Sequence, residues 1–265
     1  MTVPEQRLPR SDRPPLVEKV AIVTGASSGI GRALALRLAS MGYRVGLIAR
    51  RGDRLEELAR EIDSVGGTAF AAVADVGDRA ALHRAFRDLE DAIGPTDVLV
   101  ANAGFGTPTW LDPVNIDDVE NTFRVNLMGV VYAIEAALPG MLARRRGQIV
   151  AVSSLAGDRG LPGEAAYCAS KAAVNVYLQS LRADLRGRGI RVTTVCPGFV
   201  QTEITPLDAT LTPFIISADD AARRIARLID RRRGGVHRFP RRMALLMGIV
   251  NRLPDFVLCR LIGHS

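Results

Sequence analysis

Residues 19–31 read KVAIVTGASSGIG, and this stretch decides the fold. Lys19–Thr24 is a short apolar run rich in Val and Ile, as expected of a strand buried on both faces. It enters the turn Thr24-Gly25-Ala26-Ser27-Ser28-Gly29-Ile30-Gly31, and helical periodicity follows over Gly31–Met41. Glycines in such a turn permit tight backbone bends and let N–H groups approach a pyrophosphate, while the helix N-terminus adds a dipole favourable to an anion. The spacing is G-x-x-x-G-x-G rather than the commoner G-x-G-x-x-G. Strand, glycine turn and helix together predict a dinucleotide-binding βα unit, with Gly25, Ser27, Ser28, Gly29, Ile30 and Gly31 around the phosphates.

Working outward, apolar runs recur at Arg44–Ala49, Thr68–Ala74, Asp97–Ala101, Gln148–Val152 and Ile190–Val195. Helix-like segments lie between them, among them Asp53–Ser64, Arg79–Ile93 and Ala165–Arg186. The alternation predicts an α/β fold, a Rossmann-like doubly wound parallel sheet flanked by helices. One catalytic domain is expected over 18–240, after a disordered N-terminal lead at 1–17. Residues 198–217 break the rhythm and predict an irregular substrate loop. A basic helix near Ala218–Arg233, a short run Gly235–Phe239 and an apolar tail over 241–265 complete the chain.

The 265 residues are 48% hydrophobic and 24% charged, an ordinary globular composition. No unbroken run of 18 apolar residues marks a membrane span. Three cysteines without a C-x-x-C pair argue against a disulfide framework or a metal site, so no metal is expected and a reduced, cytoplasmic setting is. The net charge of +7 is local. Between Arg223 and Arg242 nine arginines face one acid, Asp230, so that segment carries +8 and the rest sums to −1. No recognition motif or aromatic platform accompanies it, so nucleic acid is not an expected partner.

The second strand run ends at Ala49 and meets Arg50-Arg51. In dinucleotide folds an acid at this place binds the ribose 2′-hydroxyl, whereas a basic residue accommodates a 2′-phosphate. Two guanidinium groups predict NADP(H) in preference to NAD(H).

Tyr167 and Lys171 are spaced i, i+4 on a helical segment and so share a face. Lys19 and Lys171 are the only lysines in an arginine-rich chain. Hydride transfer to a carbonyl leaves an alkoxide that needs a proton, which a phenol can supply. A phenol of ordinary pKa (~10) is a poor base for the reverse reaction, and a nearby ammonium is expected to lower it.

Taken in order, TGASSGIG at 24–31, Asn102-Ala103-Gly104, Ser153-Ser154, Tyr167-Cys-Ala-Ser-Lys171 and Pro197-Gly198 resemble the short-chain dehydrogenase/reductase family over about residues 18–205. The resemblance implies a catalytic set of Asn126, Ser154, Tyr167 and Lys171, with Ser154 rather than Ser153 facing the substrate oxygen. Asn126 is then the holder of a water in the proton relay beyond the lysine. Lys171 is implied at the nicotinamide ribose, beside Tyr167. Asp75 and Val76 are implied at the adenine. Asn102, Ala103 and Gly104 border the cofactor, as do Pro197, Gly198 and Val200, and Thr202 contacts the carboxamide. Homodimers or homotetramers are implied as well.

The loop holds Ile204, Leu207, Leu211, Phe214, Ile215 and Ile216, which predict an apolar pocket. Phe105, Leu155 and Leu161 are expected on its other walls, together with Ser154 and Tyr167. The expected reaction is oxidoreduction at the CH–OH group of donors, on a hydrophobic ketone, aldehyde or secondary alcohol. Alternatives are a 3-oxoacyl-thioester reductase acting on a carrier-bound acyl chain, and a dinucleotide-binding redox sensor without turnover. The basic and apolar C-terminal region is weighed as a lid, an interface or a peripheral membrane contact.

Overall fold

In the first strand, β1 (Lys19–Thr24), every residue but Lys19 is buried. That pattern requires cover on both faces, and the chain provides it in two layers. The computed structural model describes residues 19–202 and 214–262. It continues with α1 (Gly29–Ser40), β2 (Tyr43–Ala49), α2 (Gly52–Ser64), β3 (Thr68–Val73), α3 (Arg79–Ile93) and β4 (Val98–Ala101). Next come α4 (Ile116–Phe123), a π-helical turn (Arg124–Met128), α5 (Gly129–Ala143), β5 (Gly147–Val152), a 3-10 turn (Leu155–Asp158) and α6 (Ala165–Asp184). The chain closes with β6 (Ile190–Pro197), β7 (Val200–Gln201), β8 (Ile216–Ser217), α7 (Ala218–Asp230), β9 (Gly235–Phe239), α8 (Arg241–Val250) and α9 (Asp255–Ile262).

Seven strands form one parallel sheet in the order β3-β2-β1-β4-β5-β6-β9. Side chains alternate across a strand, so each strand feeds two cores. Ala21, Val23, Val45, Leu47, Val100 and Val150 pack against α1, α2 and α7 through Leu34, Leu38, Leu58, Ile62, Ile225 and Ile229. Val20, Ile22, Leu99, Ile149 and Val192 pack on the other face against Leu82, Phe86, Ile134, Val174 and Leu178 of α3, α5 and α6. Enclosing one such Leu or Ile contributes about 1.5–3 kcal/mol. The strand order reverses between β1 and β4, and this switch point leaves a crevice beyond the carboxyl ends of the strands, where ligands of open α/β sheets bind.

Ile116–Ala143 runs as one 28-residue helical stretch, long and apolar enough to cross a membrane by length and composition. The sequence reading, which sought an unbroken apolar run, does not mark it. Here it serves as a core helix: Val130, Ala133, Ile134, Ala137 and Met141 are buried in the second core.

The expected irregular loop at 198–217 is described at its two ends, 198–202 and 214–217. Its two ends pair as β7 and β8, a short parallel ladder. Ile204, Leu207 and Leu211 lie outside the described residues. The arginine-rich helix α7 buries Ala221, Ala222, Ile225, Ala226 and Ile229, and its arginines point away from the core. Arg223 pairs with Asp219 and Asp220, and Arg238 of the edge strand with Asp158.

Candidate active site

The glycine turn has no room for side chains. A Cβ on Gly31 would lie 2.2 Å from the Gly25 carbonyl oxygen, and Gly25 adopts φ +68° with Ala103 Cα 2.8 Å from where its Cβ would stand. Both positions therefore need glycine. Ser28 caps α1 without a side-chain hydrogen bond, and the first turn carries no acid. The leading N–H groups of α1 thus face the crevice uncapped, which suits the pyrophosphate of a dinucleotide. Ala26 N–H ties the turn to Ile48 of β2 at 3.2 Å.

At the end of β2, Arg51 donates to Ser27 Oγ from Nε and Nη2, at 3.1 and 3.0 Å. This holds a guanidinium over the glycine turn, with exposed Arg50 beside it. Thr202, after β7, reaches the start of α1, with its Cγ2 3.0 Å from the place of a Gly29 Cβ. Asp75 accepts from Gly77 N–H at 2.9 Å and from Arg124 at 3.2 Å, and Val76 is buried against Gly129.

After β4, Asn102 braces the turn. Its amide donates to the Thr24 and Gly25 carbonyls at 3.0 and 3.4 Å, while Thr24 Oγ1 accepts from the N–H groups of Asn102 and Ala103. Pro197 and Gly198 close the other side: Pro197 pairs with Phe239, whose carbonyl accepts from Gly198 N–H at 2.8 Å. Val200 is buried in the first core, so it supports the crevice from beneath.

The four residues of the implied catalytic set are brought together. Asn126 sits in the π-helical turn, where one extra residue per turn redirects a side chain, a device frequent at functional sites. It is fully buried. Its Oδ1 accepts from Phe105 N–H at 3.0 Å, and its Nδ2 donates to Phe105 O at 2.9 Å and to Ser170 Oγ at 3.0 Å. Gly104 lies between Asn126 and Lys171: a Cβ there would stand 3.0 Å from both Asn126 Oδ1 and Lys171 Nζ.

Lys171 is 4% exposed and donates to the Val152 carbonyl at 3.2 Å. Burial pulls its ammonium down to about 8. Tyr167, one turn earlier on α6, shows the opposite movement. Burial raises its phenol above the ordinary value, the hydrogen bond with Ser154 lowers it, and the Glu164 carboxylate raises it. This corrects the expectation that the ammonium depresses the phenol. Desolvation sets the direction, and what opposes it is the Ser154 hydrogen bond, not the lysine, whose nitrogen lies 5.7 Å from the ring centroid.

The two adjacent serines divide the work. Ser153 Oγ donates to the Lys171 carbonyl at 3.1 Å, whereas Ser154 is the partner of Tyr167. Ser154 Oγ also accepts from Ala156 N–H at 3.1 Å, which fixes the hydroxyl at the start of the 3-10 turn.

The expected pocket walls are not all alike. Phe105 and Leu161 are half-buried, and Phe105 packs on the second core. Leu155 is 2% exposed and packs among Cys196, Met243 and Met247, so its side chain supports the 3-10 turn instead of lining an open wall. Phe214 is exposed, and Ile216 packs on the first core.

Ser170 and Glu164 escape the sequence reading. Ser170 Oγ donates to the Tyr167 carbonyl at 2.7 Å and accepts from Asn126, linking the two. A serine inside a helix that bonds the carbonyl three residues back was the available signal. Glu164 stands one turn before Tyr167, and burial raises its carboxyl.

The short chain dehydrogenase family model matches residues 19–210. The chain belongs to that family. It is an oxidoreductase on that membership, with the expected Rossmann-like sheet. An uncharacterized oxidoreductase from Myxococcus xanthus is 40% identical over 237 residues, which cover 89% of this chain and 93% of that protein. A solved 3-ketoacyl-ACP reductase from Sinorhizobium meliloti 1021 is 35% identical, with a TM-score of 0.76 over 83% of this chain and 96% of its own. A short chain dehydrogenase/reductase from Burkholderia phymatum, solved in complex with NAD, is 26% identical, with a TM-score of 0.81 over 94% of this chain and 97% of its own.

Proposed function

We propose that this oxidoreductase uses NADP(H) to reduce the carbonyl of a hydrophobic ketone or aldehyde, with Tyr167 as the general acid. The observation that carries the reading is the buried phenol of Tyr167, hydrogen-bonded to Ser154, with the Lys171 ammonium on the same helix face.

When bound, the nicotinamide dinucleotide supplies the hydride. Gly25, Ser27, Ser28, Gly29, Ile30 and Gly31 take its pyrophosphate at the head of α1. Arg50 and Arg51 hold the 2′-phosphate, which favours NADP over the NAD of the Burkholderia relative. Asp75 and Val76 flank the adenine. Asn102, Ala103, Gly104, Pro197, Gly198 and Thr202 line the remaining length, over Val200.

Ser154 and Tyr167 point their hydroxyls at the substrate oxygen and stabilise the charge that develops there. Tyr167 then gives up its phenolic proton to that oxygen. A phenol raised by burial keeps its proton at neutral pH, which suits reduction better than oxidation. Lys171, whose ammonium loses its proton near pH 8, replenishes the phenol and donates to the ribose. Asn126 orders the water that supplies Lys171. Catalysis by a positioned acid of this kind is worth about 10²–10⁴-fold.

Similarity to the Sinorhizobium reductase favours a second reading within the same chemistry, a carrier-bound 3-oxoacyl thioester as substrate. A homo-oligomeric assembly and a cytoplasmic setting accompany the proposal. The test is an NADPH-oxidation screen over ketones, aldehydes and acyl thioesters, run beside Tyr167→Phe. Turnover of a simple ketone and none of a thioester supports the first reading. No oxidation of NADPH by any carbonyl, with the dinucleotide still bound, would favour a redox sensor.

A further inference from the structure

The helix α8 is apolar on two sides. Met243 and Met247 face inward and pack on Leu155 and Cys196. At 100° per residue, Leu245 and Ile249 fall on the opposite side and Leu246 on the flank. They are 70%, 56% and 42% exposed, and Phe256 of the next helix is 76% exposed. A monomer in water gains nothing from that face.

Charge tells what covers it. Arg241 and Arg242 open α8 with no acid in its first turn. Cations there oppose the helix dipole, so the helix itself does not call for them. Arg252 follows between α8 and α9 and Arg260 lies near the end, while residues 241–262 contain a single acid, Asp255. Exposed leucine and isoleucine flanked by arginine are the pattern of a helix lying in the plane of an anionic bilayer, with its apolar side at the headgroup boundary. A second copy of the chain is a poorer fit. A two-fold contact would set Arg241, Arg242 and Arg252 against the same three arginines.

We propose that the outer face of α8, with Phe256 of α9, docks this enzyme on anionic phospholipid membranes. The dock lies beside the active site. Met243 reaches Gly198, with its Cγ 3.1 Å from the place of a Cβ there, and Leu155 follows Ser154 directly. Arg159, in the segment before α6, donates to the Asn251 and Leu253 carbonyls at 3.4 and 3.2 Å and so fixes the α8–α9 turn to the site's rim.

The experiment is flotation of the full chain with two vesicle preparations, phosphatidylglycerol mixed with phosphatidylcholine, and phosphatidylcholine alone. The intact protein rises with the anionic vesicles and stays down with the neutral ones, and added salt weakens the binding. Arg241→Gln with Arg242→Gln lowers the partition coefficient about fivefold per arginine. Leu245→Ser with Ile249→Ser abolishes flotation while the melting temperature holds, because both side chains are exposed. Phe256→Ser alone gives a second, smaller loss. The proposal fails if the intact chain does not float with phosphatidylglycerol, or if the serine variants float undiminished. It also fails if those variants lose self-association instead of flotation, or if the chain binds soluble polyglutamate and no vesicle.

Discussion

Lys171 Nζ lies 5.7 Å from the centroid of the Tyr167 ring, yet its hydrogen bond runs to the carbonyl of Val152, 3.2 Å away. The ammonium is thus held beside the phenol by the backbone of β5, inside a region that penalises its charge.

That penalty predicts a stabilising substitution. The fold lowers Lys171 from 10.5 to about 8, worth about 3 kcal/mol against the charged form. Loss of the bond to Val152 offsets about 1 kcal/mol. Lys171→Met is expected to raise stability by about 2 kcal/mol at pH 7 while removing turnover. The unfolded chain binds the proton more tightly than the folded one, so wild-type stability rises as pH climbs from about 8 toward 10.5. The advantage of the variant is therefore full below pH 8 and fades across that window. Urea unfolding of both proteins at pH 7 and pH 10 checks the sign.

Tyr167→Phe keeps the ring and removes the acid. Turnover should fall about 10²–10⁴-fold with NADPH affinity unchanged. Stopped-flow reduction beside fluorescence titration of NADPH separates the two. A residual rate near wild type would remove Tyr167 from the proposed mechanism.

Arg51→Asp replaces the guanidinium that Ser27 holds over the glycine turn. A charge-assisted bond is worth about 1.5–3 kcal/mol, so kcat/KM with NADPH should drop by at least about tenfold. NADH should gain relative to it. Arg50→Asp should act in the same direction. An unchanged preference in both variants would place the 2′-phosphate elsewhere.

Asn126→Ala leaves the buried N–H and carbonyl of Phe105 without their partner. Each orphaned group costs about 1–3 kcal/mol, so stability should fall by about 2–6 kcal/mol along with activity. Gly104→Ala tests the same junction from the other side, since its Cβ would press on both Asn126 and Lys171. It should reduce kcat more than stability. Differential scanning calorimetry and steady-state rates on the two variants check this contrast.

The sheet was legible because its strands are buried on both faces: the run at Lys19–Thr24 matches β1 residue for residue, and Arg44–Ala49 falls within Tyr43–Ala49. The Tyr167–Lys171 pair was legible because helical spacing alone puts both on one face. Ile116–Ala143 was not, since polar residues interrupt its apolar run and only packing tells such a helix from its neighbours. Leu155 followed the same limit. It was expected on a pocket wall, but the 3-10 turn packs it with Met243. Ser170 depends on Asn126, 44 residues away, and no local pattern carries such a contact. The direction of the phenol shift hinged on desolvation, which adjacency to a lysine does not report.

The π-helical turn at Arg124–Met128 gives the site a dependence on counting. Removing one residue between 124 and 128 would let the stretch wind as an ordinary α-helix, with the flanking turns keeping their relation while the residues of the turn itself are re-aimed. Asn126 would then swing off Gly104 even though the amino acid remained present. At this place the number of residues in the turn aims the site as much as their identity does.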